Sequence, residues 1–155
     1  MTSDGTQASG AFATARFDDD ERLAELHALG LLNAPADAQF DHITEFTAAL
    51  FRIPVALVSL VDTEHLWFAS AYGTAMTSSV RERSFCGECI ENENPLVVPD
   101  AAEDPRFAES ALVAGEAAIR FYAGVALRGP GNHPLGTLCV LDVLPRAFPE
   151  YQCHH

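Results

Sequence analysis

Arg120-Phe-Tyr-Ala-Gly-Val-Ala-Leu-Arg128, then Gly129-Pro-Gly-Asn-His-Pro134, then Leu135-Gly-Thr-Leu-Cys-Val-Leu-Asp142 is the stretch that decides the fold. Two runs rich in aromatic and branched residues, separated by a short Gly/Pro connection, read as an antiparallel hairpin. Both strands are too apolar for either side to face water. Their sheet is therefore expected to be covered on one face and, on the other, to line a cavity or meet a partner.

Working outward from this hairpin, the pattern upstream is helical. Asp18 to Glu21 precede Leu23, Leu26, Leu29 and Leu32, an apolar stripe of helical period behind an acidic start that suits a helix N-terminus. This first amphipathic helix should stop near Gly30, with Asn33-Ala-Pro35 as the connection. A second helix is expected from about Asp37, carrying Phe40, Ile43, Phe46, Thr47 and Leu50 on one side and ending before Pro54. Val55 to Asp62 is a continuous apolar, β-branched run, and Leu66 to Tyr72 follows the polar turn Asp62-Thr-Glu-His65, which predicts a second hairpin.

Between the hairpins the sequence is irregular. Thr74 to Arg83 has no period, Ser84 can cap a short helix through Cys86 and Ile90, Leu96 to Pro99 is a brief strand, and Asp104-Pro-Arg-Phe107 reads as a helix N-cap and first turn. A middle segment as long as Thr74 to Ala118 in a compact domain is usually a lid or a binding wall. Two helices, a hairpin, an irregular crossover and a final hairpin fit an α+β fold with a largely antiparallel sheet.

Composition narrows the function classes. The chain has 155 residues and is 48% hydrophobic, enough for one domain with a real core. Its formal charge of -13, with nine arginines and no lysine, speaks against a nucleic-acid surface and removes Schiff-base and P-loop chemistry. The longest apolar run, Ile53 to Val61, contains Pro54 and falls far short of the roughly 20 residues of a membrane helix. Met1 to Ala15 lacks the basic start and apolar centre of a signal peptide. The four cysteines, Cys86, Cys89, Cys139 and Cys153, are accordingly expected as reduced thiols in the cytoplasm rather than a disulfide framework. The expected organisation is a disordered leader over 1–17, one domain over 18–148 and a short tail over 149–155.

A family resemblance is carried by Arg22-Leu-Ala-Glu-Leu-His-Ala-Leu-Gly-Leu-Leu-Asn33, Phe40-Asp-His-Ile43, Pro54-Val-Ala-Leu-Val-Ser-Leu-Val-Asp62, Trp67-Phe68 and Ser84-Phe-Cys86. It continues through Pro95 to Asp100, Asp104-Pro-Arg-Phe107, Ile119-Arg-Phe-Tyr-Ala-Gly124 and Leu135 to Asp142. In number and order these motifs resemble the GAF domain, in the version found near the start of bacterial sensor histidine kinases and diguanylate cyclases. The resemblance implies a PAS-like sensory fold: a central antiparallel sheet of about five or six strands, helices on one face, and a small-molecule cavity under crossover segments on the other. It also implies the wall of that cavity: Trp67, Phe85, Cys86, Asp100, Asp104, Phe107, Phe121, Tyr122 and Thr137. Aromatic walls with a few polar groups suit a small organic ligand, although each of these aromatics equally suits plain core packing.

The family's departures here are informative. A long carboxy-terminal signalling helix is expected in such domains, whereas Pro145-Arg-Ala-Phe-Pro149 is followed only by Glu150 to His155. The Asn-Lys-Xaa-Phe-Asp-Glu signature of cyclic-nucleotide-binding members is absent. One GAF-fold enzyme, free methionine-(R)-sulfoxide reductase, places its nucleophilic cysteine in the segment corresponding to Asp100 to Ala118, where this chain has none.

Cys86-Gly-Glu-Cys89 sets two thiols on one side of a helix near a capped end, a pattern that can support redox chemistry. Cys139, inside an apolar strand, reads as a small core residue. Cys86, Cys89, Cys139, His133 and the tail Cys153-His-His155 contain zinc-type ligands but only one close pair within the domain, so no metal site is expected. The expectation is a non-catalytic small-molecule-sensing or regulatory domain of bacterial signal transduction, with ligand and cofactor unknown, and with a homodimer or a signalling protein as its partner. Two alternatives stand beside it: a thiol-dependent reductase using Cys86 and Cys89, and a ligand-free dimerisation module filled by its own aromatics.

Overall fold

The computed structural model describes residues 17–33, 37–92 and 94–147. The leader up to residue 16 and the tail from 148, with Cys153, His154 and His155, lie outside the described residues.

Helix α1, Asp19–Ala28, begins where Asp18 adopts an extended conformation and its carboxylate accepts hydrogen bonds from the backbone N–H groups of Asp20 and Glu21. Gly30, at φ +69°, takes the left-handed turn that ends it, as the sequence predicted. Helix α2, Ala38–Phe51, is capped by Asp37 and closed by Arg52 in the left-handed region. Strands β1 (Val55–Val61) and β2 (His65–Tyr72) form the first hairpin, and β3 (Ser78–Val80) adds an edge strand that the aperiodic sequence did not announce. The crossover holds α3 (Phe85–Cys89), β4 (Leu96–Val98) and α4 (Ala111–Ala114). Strands β5 (Phe121–Arg128) and β6 (Pro134–Asp142) complete the chain.

Six strands form one antiparallel sheet in the order β3-β2-β1-β6-β5-β4. The last hairpin is thus central, with β6 hydrogen-bonded on both sides, which explains why neither strand is amphipathic. Side chains alternate between two layers. On one face Ala56, Phe121, Ala123 and Val140 pack against Ala48 of α2, and Leu60 and Leu135 against Leu26 of α1. On the other, Leu57, Val61, Tyr122, Cys139 and Leu141 pack against Phe85, Cys86, Cys89, Ile90, Phe107 and Val113 of the crossover.

Two expectations are corrected here. The stripe of α2 was expected to be its core side, yet Phe46 and Leu50 are 65% and 60% exposed, and the helix instead buries Thr44 and Ala48. Small residues let α2 approach the sheet closely. Thr44 also donates into a polar link, its hydroxyl 3.0 Å from Ser70 Oγ, which in turn donates to Asp41 Oδ1 at 2.5 Å. The second correction concerns Asp104-Pro-Arg-Phe107, which makes a single turn rather than opening a helix: the Phe107 and Ala108 N–H groups both bond to the Asp104 carbonyl, and the next helix begins only at Ala111.

Candidate functional site

The short helix α3 owes its place to Ser84, whose hydroxyl accepts the Gly87 N–H at 2.9 Å. One turn then aims Phe85, Cys86 and Cys89 at the sheet, all of them buried. The Phe85 ring stacks on Tyr122 of β5 with centroids 4.6 Å apart and leans on Phe107 at 4.8 Å. These three rings fill the space between the crossover and the sheet.

Beside them lies a buried polar cluster centred on the Cys86 sulfur. Thr137 Oγ1 donates to it at 3.3 Å and Tyr122 Oη at 3.7 Å. Thr137 sits opposite Ser59 across the β1–β6 pairing, and their hydroxyls are 3.2 Å apart. Cys139 follows two residues later on the same side of β6 and belongs to the same buried cluster as Cys86. Gly124 is what admits the tyrosine hydroxyl: a Cβ there would lie 2.5 Å from Tyr122 Oη and 2.9 Å from the Cys139 Cβ.

The hydrogen bonds polarise the cluster. Cys139 first, then Ser59, Thr137 and Tyr122, stabilise the Cys86 thiolate and outweigh burial, so Cys86 titrates below an ordinary thiol. Cys139 is driven the other way, by the neighbouring Cys86 and by burial. Burial pushes Cys89 up to about 12 and raises Tyr122 as well. The result is one acidic thiol surrounded by groups that keep their protons.

Of the residues predicted from sequence, Phe85, Cys86, Phe107, Tyr122 and Thr137 are brought together, each with at most 4% of its surface exposed. Phe121 and Trp67 lie on the opposite face, because neighbouring strand residues point to opposite sides. Phe121 packs with Ala48, while Trp67 is 40% exposed and donates to Asp62. Asp100 caps the 3-10 turn Ala101–Glu103 through the Ala102 N–H. Asp104 accepts the Arg106 N–H and guanidinium, which hold its carboxylate below the usual range. Arg106 reaches on to the buried Glu88 at 4.0 Å and lies over the Phe107 ring.

Sequence reasoning missed Ser59 and Arg106, whereas Cys139 is the small core residue that the sequence suggested. Ser59 carried a usable signal: it is the one polar residue inside Val55 to Val61. Two open depressions of about 650 Å³ each border the α3 segment. One includes His65, Arg81, Ser84, Gly87 and Glu91, the other Asp18, Glu21, Arg128 and His133. No residue of the predicted wall lines either. Among the described residues no helix is long and apolar enough to cross a membrane.

An open antiparallel sheet with helices on one face and a crossover layer closing a polar and aromatic core on the other defines an α+β domain of the PAS-like kind. The chain matches the GAF domain family over residues 35–155 and belongs to it. It is 39% identical over 136 residues to a cyclic di-GMP phosphodiesterase of Pseudomonas aeruginosa, a match that covers 86% of this chain and 23% of that protein. Among solved structures it resembles the free methionine-R-sulfoxide reductase of Neisseria meningitidis in complex with its substrate, with a TM-score of 0.61, 20% identity, and 92% and 86% of the two chains covered. It also resembles the GAF domain of an Acinetobacter phosphoenolpyruvate-protein phosphotransferase, with a TM-score of 0.58, 16% identity, and 84% and 82% covered. At these identities the structural likeness concerns the fold alone.

Proposed function

We propose that this chain is a regulatory GAF domain with no catalysis of its own, which controls cyclic-dinucleotide turnover in bacterial signalling. The observation that carries the non-catalytic reading is the closed crossover core. The only acidic thiol among the described cysteines is 4% exposed and lies in one buried cluster with the stacked rings of Phe85, Phe107 and Tyr122. Its output is inferred from the phosphodiesterase relative, of which this chain spans under a quarter.

A small-molecule input remains part of this reading. The wall would be Phe85, Cys86, Phe107, Tyr122 and Thr137, and a ligand would have to favour an open arrangement of the crossover over the closed one. The stacked rings also favour a second reading, a ligand-free module whose core is filled by its own side chains.

The test is a melting screen of the purified protein against cyclic dinucleotides and small metabolites, alongside a turnover assay on free methionine-(R)-sulfoxide with a thiol reductant. A regulatory sensor gains about 2.7 kcal/mol at a ligand concentration 100-fold above Kd. Stability unmoved by every compound favours the ligand-free module. Sulfoxide turnover that disappears in Cys86→Ser refutes the non-catalytic reading.

A further inference from the structure

We infer that Asp19 and Arg81 form a clasp that makes the start of α1 and the crossover helix α3 open as one unit, so that loosening the crossover releases α1. In the sequence Asp19 reads only as part of an acidic helix start, and Arg81 lies in an aperiodic run. The fold joins them across 62 residues.

The clasp is bidentate. Arg81 Nη2 donates to Asp19 Oδ1 at 3.1 Å and Arg81 Nη1 to Asp19 Oδ2 at 3.3 Å, the paired, charge-assisted geometry that gives an arginine–carboxylate contact its specificity. The same Oδ1 accepts Arg22 Nε at 2.9 Å. Arg22 is fully buried, and its Nη1 donates to the Pro134 carbonyl of β6 at 3.3 Å. One carboxylate therefore stands between a guanidinium of α1 itself and one from the segment that leads into α3.

Arg81 is in turn fastened to that helix. Its carbonyl accepts the N–H of Ser84, the residue that caps α3, at 3.0 Å. A Cβ on Gly87 would lie 3.1 Å from the same carbonyl oxygen, so the first turn of α3 rests directly on Arg81. Between the two, Arg83 holds φ +58°, a left-handed conformation that a non-glycine residue keeps only where its surroundings impose it. The β1–β2 turn fixes Arg81 from the other side: its N–H donates to the Glu64 carbonyl and its Nη1 to the Asp62 carbonyl, both at 2.9 Å. Lifting α3 from the sheet therefore displaces Arg81, and displacing Arg81 leaves Asp19 with Arg22 alone. This coupling needs no ligand and stands independently of the regulatory reading: it concerns what a moving crossover does, whatever moves it.

The test is native-state amide exchange by NMR over a series of low urea concentrations on the unsubstituted chain. The Arg22 N–H bonds to the Asp18 carbonyl, Glu88 to Ser84 and Ile90 to Cys86, so these three amides report the opening of α1 and α3. They should converge on one opening isotherm, below that of Val140 in the central strand β6. Asp19→Ala should speed exchange at all three about fivefold and leave Val140 unchanged. Asp20→Ala removes the same charge from the same helix turn without touching the clasp, and should leave Glu88 and Ile90 as they are. In an Arg81→Met background, Asp19→Ala should add nothing at α3. Separate isotherms for α1 and α3 overturn the proposal. So do α3 amides unmoved by Asp19→Ala, moved equally by Asp20→Ala, or accelerated no more than Val140. The isotherms come from the unsubstituted chain and decide the matter even where a variant fails to fold.

Discussion

Gly136 of β6 pairs with Leu60 of β1, and a methyl group there would lie 1.9 Å from the Ser59 carbonyl oxygen. Backbone cannot yield as a flexible side chain does, so Gly136→Ala should destabilise the domain by about 2 to 3 kcal/mol, read as a lower urea midpoint. A variant as stable as the parent would contradict this strand spacing. Phe107 sits on the crossover side with no exposed surface, against Phe85. Truncation to alanine should cost about 3 to 5 kcal/mol in an equilibrium melt, less if the neighbouring rings collapse into the space. The sequence singled out Phe107 as a wall or core residue but gave no sign of how tightly it or Gly136 is packed. The approach of another chain segment, tens of residues away, gives each its weight.

At the scale of elements, α1 is tied to the β5–β6 turn by Glu25. Its carboxylate accepts the Gly131 N–H at 2.8 Å and pairs with His133 Nδ1 at 2.6 Å. The Gly131 bond first, then His133, holds the Glu25 carboxyl below the ordinary glutamate value. The unfolded chain therefore binds the proton more readily. This tether adds stability above the ordinary pKa of about 4.3 and loses it as pH falls through the lower folded value. Glu25→Gln should flatten the acid limb of the stability curve and lower exchange protection at the Gly131 amide. An unchanged acid limb would show that the tether does not contribute. Helix α2 gives the complementary case: Phe46→Ser, on its exposed stripe, should change stability by no more than about 0.5 kcal/mol in the isolated domain. Helical period predicted the helix but not its inward face, which the Thr44–Ser70–Asp41 link and the small Ala48 determine.

For the molecule as a whole, one sheet serves both layers. Tyr122 and Phe121 are adjacent in β5 yet belong to opposite cores, so neither layer can loosen without disturbing the strands that carry the other. Thermal unfolding followed by near-ultraviolet dichroism, which reports the packed rings, should coincide with far-ultraviolet loss of the sheet. Separated midpoints would mean that the crossover layer melts first.

The sequence by itself determined the family and most of the elements, with β3 and the single turn after Asp104 as exceptions. Caps at Asp18, Asp37 and Ser84, the breaks at Gly30 and Pro54, and two apolar hairpins act over a few residues and can be read locally. Only the tertiary structure decided which side of α2 is buried, which face of β5 meets the crossover, and that Thr137 of β6 meets Cys86 of α3. Strand register and the alternation of side chains across the sheet set those outcomes. Both depend on pairings between segments tens of residues apart, for which no local pattern in the chain carries a signal.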